Sequence, residues 1–81
     1  MNREQQRTAS ACRRLAQQLS EESQRHAGKL SRLQMAAFQL GYYARSIDDH
    51  ETVVVQAAID AGTEVLIQSM TARALRMWAA Q

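Results

Sequence analysis

The sequence contains no proline, only three glycines, and only four aromatic side chains (one tryptophan, two tyrosines and one phenylalanine). Proline and glycine interrupt helices, and aromatic residues are enriched in strands, so their scarcity favours helices over sheets. Alanine, arginine, glutamine, leucine and glutamate dominate instead. A chain of 81 residues makes one small domain at most, and such chains often rely on oligomerisation to complete a modest core. We therefore treat residues 1–81 as a single helical domain.

Other absences bear on where the protein acts. The single cysteine, Cys12, cannot form a disulfide within the chain, so a reducing compartment is expected. The first ten residues contain no apolar run of the kind that a signal peptide needs. Runs such as Val53–Val55 are far too short to cross a bilayer. We expect a soluble, cytoplasmic protein without membrane contact, and the alanine- and arginine-rich composition is typical of a GC-rich bacterium.

Motifs that carry catalytic or cofactor chemistry are also missing. The sequence has no glycine-rich phosphate loop and no Gly-x-Ser-x-Gly turn. Asp48–Glu51 is the densest group of potential metal ligands, but it lacks the spacing of an EF-hand or a zinc site. A helix-capping turn accounts for these four residues. We expect no enzyme activity, no catalytic residue, no cofactor and no metal site.

An apolar stripe at helical spacing runs through the first half of the chain. It keeps its phase across Gly28, so we predict one helix from Arg3 to Arg45, with two helices meeting near Gly28 as the alternative. Two polar residues interrupt the stripe, where one step of the repeat is a residue longer. The stripe consists of Cys12, Leu15, Leu19, Glu22, His26, Leu30, Leu33, Ala37, Leu40 and Ala44.

A turn at residues 46–49 is predicted to end this helix. Asp48 is a good N-cap, and Glu51 three residues later completes the pattern of a capping box. The second helix then runs from about Asp49 to near Ala80, antiparallel to the first. Its predicted inner face is Val54, Val55, Ala58, Ile59, Gly62, Val65, Leu66, Met70 and Met77. The predicted fold is thus all-α, a long antiparallel helical hairpin.

A second set of apolar residues lies outside the stripe and predicts an interface. Met35, Phe38 and Tyr42 recur at positions i, i+3 and i+7, and a helix that is apolar on most of its circumference must be covered from more than one side. We therefore predict that the hairpin forms a homodimer, a four-helix bundle. Residues 1–12 find no partner in the hairpin and are expected to overhang, to fray or to dock onto another subunit. The predicted interface is Met35, Phe38, Tyr42, Val53, Ile67 and Trp78.

The basic side chains concentrate in the first half of the chain. Residues 1–46 carry eight basic and three acidic residues, and residues 47–81 carry two basic and five acidic residues. The two halves would complement each other when folded together. A basic stripe on one side of the first helix also suits an acidic protein or a phosphate backbone, although no aromatic residue interleaves it for base stacking. The stripe is Arg3, Arg7, Arg14, Arg25, Lys29 and Arg32.

These observations predict a small non-enzymatic helical protein that acts by binding another protein, as a regulator, inhibitor or chaperone-like adaptor. The alternative is a basic helical dimer that binds RNA or DNA through the arginine stripe. The two hypotheses depend on different residues. The first depends on the apolar interface set and the second on the basic stripe.

Overall fold

A computed structural model describes residues 2–25, 31–70 and 72–80 of the chain, and no strand occurs in these ranges. The predicted all-α class is therefore confirmed. In chain order the elements are α1 (Arg3–Arg25), α2 (Ser31–Arg45), one turn of 3-10 helix (Ile47–Asp49), α3 (Thr52–Ser69) and α4 (Ala72–Ala79).

Helices α1, α2 and α3 enclose one apolar core. Each contributes the face that its sequence periodicity marks, and the largest fully buried side chains are Leu19, Leu40 and Leu66, one from each helix. Burying a leucine side chain contributes roughly 1.5–3 kcal/mol, so these three positions account for much of the stability. Of the predicted apolar stripe, the structure buries Cys12, Leu15, Leu19, Glu22, Leu33, Leu40 and Ala44.

The prediction of one helix from Arg3 to Arg45 is wrong, and α1 and α2 are separate helices that lie side by side. They are antiparallel: Arg13 shares a groove with Arg45, and Gln24 shares one with Gln34. A straight helix over that range would be about 65 Å long, whereas the longest extent of the molecule is 37 Å. The stripe keeps its spacing because the core-facing sides of two packed helices repeat with the same period as one side of a single helix.

Three residues on which the sequence analysis relied, His26, Gly28 and Leu30, lie outside the described residues. The separation of α1 from α2 follows from the helices on either side of them.

The second predicted helix is also divided, so the predicted hairpin is a three-helix bundle with a short fourth helix. Met70 is extended (φ −84°, ψ 146°) and ends α3. Helix α4 then turns back, and its Trp78 packs against the core beside Leu15 and Ile59. A straight helix over residues 52–79 would be about 42 Å long and would project beyond the 37 Å molecule.

The prediction that residues 1–12 lack a partner in their own chain is wrong for the part from Thr8 to Cys12, which packs into the bundle, whereas Arg3, Glu4 and Arg7 are exposed. Thr8, Ala9 and Cys12 are buried. The helix starts at a capping box that the sequence analysis did not identify. The Asn2 backbone N–H donates to Gln5 Oε1 at 2.9 Å, and the Gln5 N–H donates to Asn2 Oδ1 at 2.8 Å. This reciprocal pair opposes fraying.

The predicted capping role of Asp48 is wrong. Asp48 lies within the 3-10 turn, and α3 begins at Thr52 after an extended Glu51 whose side chain makes no capping hydrogen bond. A capping box at Asp48 would require the helix to start there, whereas the chain is extended at His50 and Glu51 before α3 begins.

Aromatic and hydroxyl groups hold this corner. The Ser46 hydroxyl donates to the Tyr42 carbonyl oxygen at 2.6 Å, and His50 Nε2 lies 3.1 Å from Ser46 Oγ. The His50 ring meets Tyr43 edge-on, with 4.7 Å between the ring centroids. Because Tyr42 and Tyr43 belong to α2 and His50 lies two residues before α3, these contacts link the end of α2 to the segment that leads into α3.

Thiol labelling of Cys12 distinguishes the packed α1 from an overhanging arm. The side chain is fully buried, and burial raises the pKa of the Cys12 thiol more than the nearby Arg13 charge lowers it. We expect an aromatic disulfide reagent at pH 8 to label the native protein at least about a hundredfold more slowly than the urea-unfolded chain, because reaction requires local opening. An equal rate in the two states would contradict the packing of α1.

The two helical glycines provide a matched test of the packing. A Cβ at Gly62 would lie 2.8 Å from Leu40 Cδ1 and 3.3 Å from Leu15 Cδ2, both buried, whereas a Cβ at Gly41 would meet only the flexible Arg45 Nη1 at 3.3 Å. Alanine improves helix propensity by about 1 kcal/mol, and overpacking a core costs about 1–3 kcal/mol. Gly41→Ala should therefore raise the free energy of unfolding in urea, and Gly62→Ala should lower it by about 1 kcal/mol. Equal changes at both sites would contradict the close approach of α3.

Candidate protein-binding surface

The side of α2 that points away from the core is apolar. Met35 is 69% exposed, Phe38 75% and Tyr42 53%. Helices α1 and α3 pack against the other sides of α2, so no helix in the described part of the chain covers these three side chains, although the Tyr42 ring lies edge-on to His50 with 5.4 Å between the ring centroids. We call Met35, Phe38 and Tyr42 the outer face of α2.

Helical geometry explains why α2 is apolar on two opposite sides. At 100° per residue, the three outer residues fall within about 60° of one another. The buried residues Leu33 and Leu40 fall on the opposite side, about 180° away from the centre of the outer face. Because Leu33 and Leu40 anchor α2 in the core, the outer face is presented by a fixed element rather than by a loop.

Two shallow grooves border the outer face of α2. The groove between α1 and α2 is lined largely by small and amide side chains, with an arginine from each helix at one end and Phe38 at the other. Its lining residues are Arg13, Ala16, Gln17, Ser20, Ser23, Gln24, Gln34, Ala37, Phe38, Gly41, Ala44 and Arg45. The groove between α2 and α3 is lined by Arg32, Met35, Ala36, Gln39, Ala61, Gly62 and Val65.

The structure brings together three of the six predicted interface residues, those on α2. Val53 and Ile67 are exposed, but they lie near opposite ends of α3. Trp78 is half-buried and packs against the core of its own chain, so it does not share an exposed face with the three residues of α2, and its role in an interface stays a prediction. The physical reason is the turn after α3, which brings α4 back onto α1.

Two residues of the predicted inner face are exposed instead. Val54 lies near the start of α3, and Met77 points outward from α4. Periodicity alone could not place Met77, because its orientation depends on the break at Met70. Once α3 and α4 are separate helices, the angular position of one no longer determines that of the other.

The predicted basic stripe is not a single line. Arg3, Arg7 and Arg14 are exposed on α1, whereas Arg32 belongs to α2 and Nη2 of its guanidinium donates to Gln68 Oε1 of α3 at 3.4 Å. Lys29 lies outside the described residues. The continuity of the stripe rested on one long helix, and the antiparallel return of α2 removes it.

Arg25 is exposed at the end of α1, and its Nη1 lies 3.7 Å from Glu22 Oε2, whose side chain is buried. An ion pair with one exposed partner contributes little to stability. It does, however, offset part of the basic charge at this end of α1.

Residues 2–25, 31–70 and 72–80 contain no group of three histidine, cysteine, aspartate or glutamate residues that could hold a metal ion. Among the same residues, no helix has the length and apolar character needed to span a membrane.

Comparisons with protein-family models, with curated proteins and with solved structures give no match to this chain.

Stability measurements separate the outer face of α2 from the core. Replacing Trp78 by alanine removes a half-buried ring from the core, and we expect the free energy of unfolding to fall by about 1–3 kcal/mol, less than for a fully buried aromatic residue. Phe38→Ser changes a residue that is 75% exposed, and this variant should alter the free energy of unfolding by less than about 0.5 kcal/mol. Circular dichroism in urea gives both values. A larger loss for Phe38→Ser than for Trp78→Ala would contradict these positions.

Proposed function

We propose that this protein is a non-enzymatic helical regulator or adaptor that acts by binding another protein through the outer face of α2. The observation that carries the proposal is the exposure of Met35, Phe38 and Tyr42 on one side of one helix. Scattered single apolar residues are ordinary on protein surfaces, but a contiguous apolar patch is typical of an interaction site.

The chemistry of the outer face supports binding to a protein. Aromatic residues and methionine are enriched in the centres of protein interfaces. Tyrosine is among the residues that dominate binding energy there. Methionine adapts to irregular partner surfaces because its side chain is unbranched and polarisable. The outer face of α2 combines all three properties within two turns of one helix.

The fixed position of α2 also supports the proposal. Leu33, Leu40 and Ala44 bury its opposite side, and the Ser46 and His50 contacts hold its C-terminal end. A surface that is ordered before binding loses little conformational entropy when a partner arrives. The face therefore resembles the helix-presenting surfaces that receive a partner helix along the seam between helices.

A homodimer remains a prediction. Helices α1, α2 and α3 already cover one another's apolar stripes, so the core does not need a second copy to close it. A second copy is thus one protein partner among others for the outer face. The RNA- or DNA-binding alternative is less favoured, because Arg32 lies on α2 and not on α1 with the other described arginines of the stripe. Its guanidinium donates to Gln68 of α3. A cytoplasmic site of action is proposed because Cys12 is a free thiol, which reducing conditions preserve.

Affinity capture from the native host tests the proposal. The double variant Met35→Ser and Phe38→Ser should recover at least about tenfold less of the partner than the wild type, because each large interface side chain typically contributes more than 1 kcal/mol. The amount of partner is measured by quantitative mass spectrometry, and the solution mass of each complex gives its stoichiometry.

The matched control changes two equally exposed apolar residues elsewhere, Val53→Ser and Met77→Ser, which are 70% and 64% exposed. This control should retain the partner. Equal loss in both double variants would show that binding does not depend on the outer face of α2. A folded wild type that captures no protein above background would also count against the proposal.

A further inference from the structure

We infer that the protein segment bound by the outer face of α2 is an acidic amphipathic helix, with apolar residues along one side and Asp or Glu at its flanks. This inference rests on the proposed function of that face and specifies the partner. It follows from the charges around Met35, Phe38 and Tyr42.

Helix α2 contains arginine and no acidic residue. Its only side chains that are charged at neutral pH are Arg32, near its start, and Arg45, at its end. Arg32 lines the groove on the α3 side of the outer face, together with Met35. Arg45 lines the groove on the α1 side, together with Arg13. The apolar face is therefore bordered by arginine on both sides and near both ends, and the exposed Asp48 and Asp49 follow Arg45 in the 3-10 turn.

The grooves themselves carry no carboxylate among their described lining residues. Besides the three arginines, the walls consist of glutamine, serine, alanine and glycine together with Met35, Phe38 and Val65. Two carboxylates lie on the neighbouring helices, Glu21 on α1 and Glu64 on α3. Glu21 accepts a hydrogen bond from Gln17 (3.1 Å), and Glu64 accepts one from Gln68 (3.4 Å). They do not neutralise the arginines by direct contact.

The three arginines have hydrogen-bonding capacity that an acidic partner can use. Arg13 Nη2 donates to Ser10 Oγ at 3.2 Å, and Arg32 Nη2 donates to Gln68 Oε1 at 3.4 Å, both neutral acceptors. Within the described residues, none of the three lies within 4.0 Å of a carboxylate oxygen. A guanidinium presents five donors in a planar fork that matches a carboxylate, so Asp or Glu flanking a docked helix would meet donors on both sides.

Charge also argues against a second copy in this position. If α2 of one chain docked on α2 of another, each copy would bring Arg32 and Arg45 and no carboxylate from either helix. Like charges in an interface disfavour association. A nucleic acid fits poorly for a different reason, because Met35 and Phe38 would be desolvated against a phosphate backbone that offers no apolar surface.

Two synthetic helical peptides test the inference. Both carry leucine and phenylalanine at i, i+3, i+4 and i+7, and the flanking positions are glutamate in one peptide and lysine in the other. Each is titrated into the full chain by fluorescence anisotropy at low and at high salt. We expect the glutamate peptide to bind at least about tenfold more tightly at low salt, with a smaller difference at high salt because exposed charges are screened.

Three variants assign this preference to residues. Arg13→Gln, Arg32→Gln and Arg45→Gln together should remove the preference for glutamate. The matched control, Arg3→Gln, Arg7→Gln and Arg14→Gln, changes three exposed arginines of α1 and should keep it. Met35→Ser with Phe38→Ser should remove binding of both peptides.

The outcomes separate the inference from the proposed function. Equal binding of the two peptides, both lost in the Met35→Ser and Phe38→Ser variant, would overturn the acidic partner and leave the face as a protein-binding surface. Absence of any peptide binding to the folded wild type would overturn both. A homodimer that this variant dissociates, or an RNA duplex whose binding requires Arg13, Arg32 and Arg45, would overturn the acidic partner in favour of that ligand.

Discussion

The close approach of α3 to α2 at Gly62 constrains the rest of the structure. With no side chain at residue 62, Leu40 of α2 and Leu15 of α1 fill the space against the α3 backbone. Three helices can then share one core in a molecule that is only 16 Å across its shortest extent. Leu40 can reach this position only if α2 turns that side inward, and the opposite side of α2 is then directed to solvent. The packing of Gly62 thus determines which side of α2 is exposed.

Burial could be predicted from the sequence more reliably than the way in which the helices connect. Cys12, Leu19, Leu40, Val55 and Leu66 are all buried at positions that helical periodicity marks. Periodicity reports the angle of a residue about its own helix axis. It carries no information about whether two stretches with matching phase belong to one helix or to two that are packed side by side.

Length would have been the better guide to connectivity. A helix of about 65 Å cannot bury its stripe in a chain of 81 residues unless another helix of equal length lies beside it. The break after α3 has no such signal, because neither proline nor glycine marks it. The break is stabilised by a contact between residues far apart in sequence, the packing of Trp78 beside Leu15 and Ile59. The periodicity of neighbouring residues carries no information about such contacts. The outer face of α2 was predictable because its three residues lie within a single helix.

The exposed apolar face and the arginines around it are better understood together than separately. Phe38 is 75% exposed and is expected to contribute less than about 0.5 kcal/mol to stability, while an apolar patch makes self-association more favourable. Arg32 and Arg45 would oppose that association, because two α2 helices in contact would bring like charges together. The same two side chains would attract a partner that carries carboxylates. In the proposed function, this surface would discriminate by charge and gain its binding energy from apolar contact, so selectivity and affinity would be assigned to different residues of one helix.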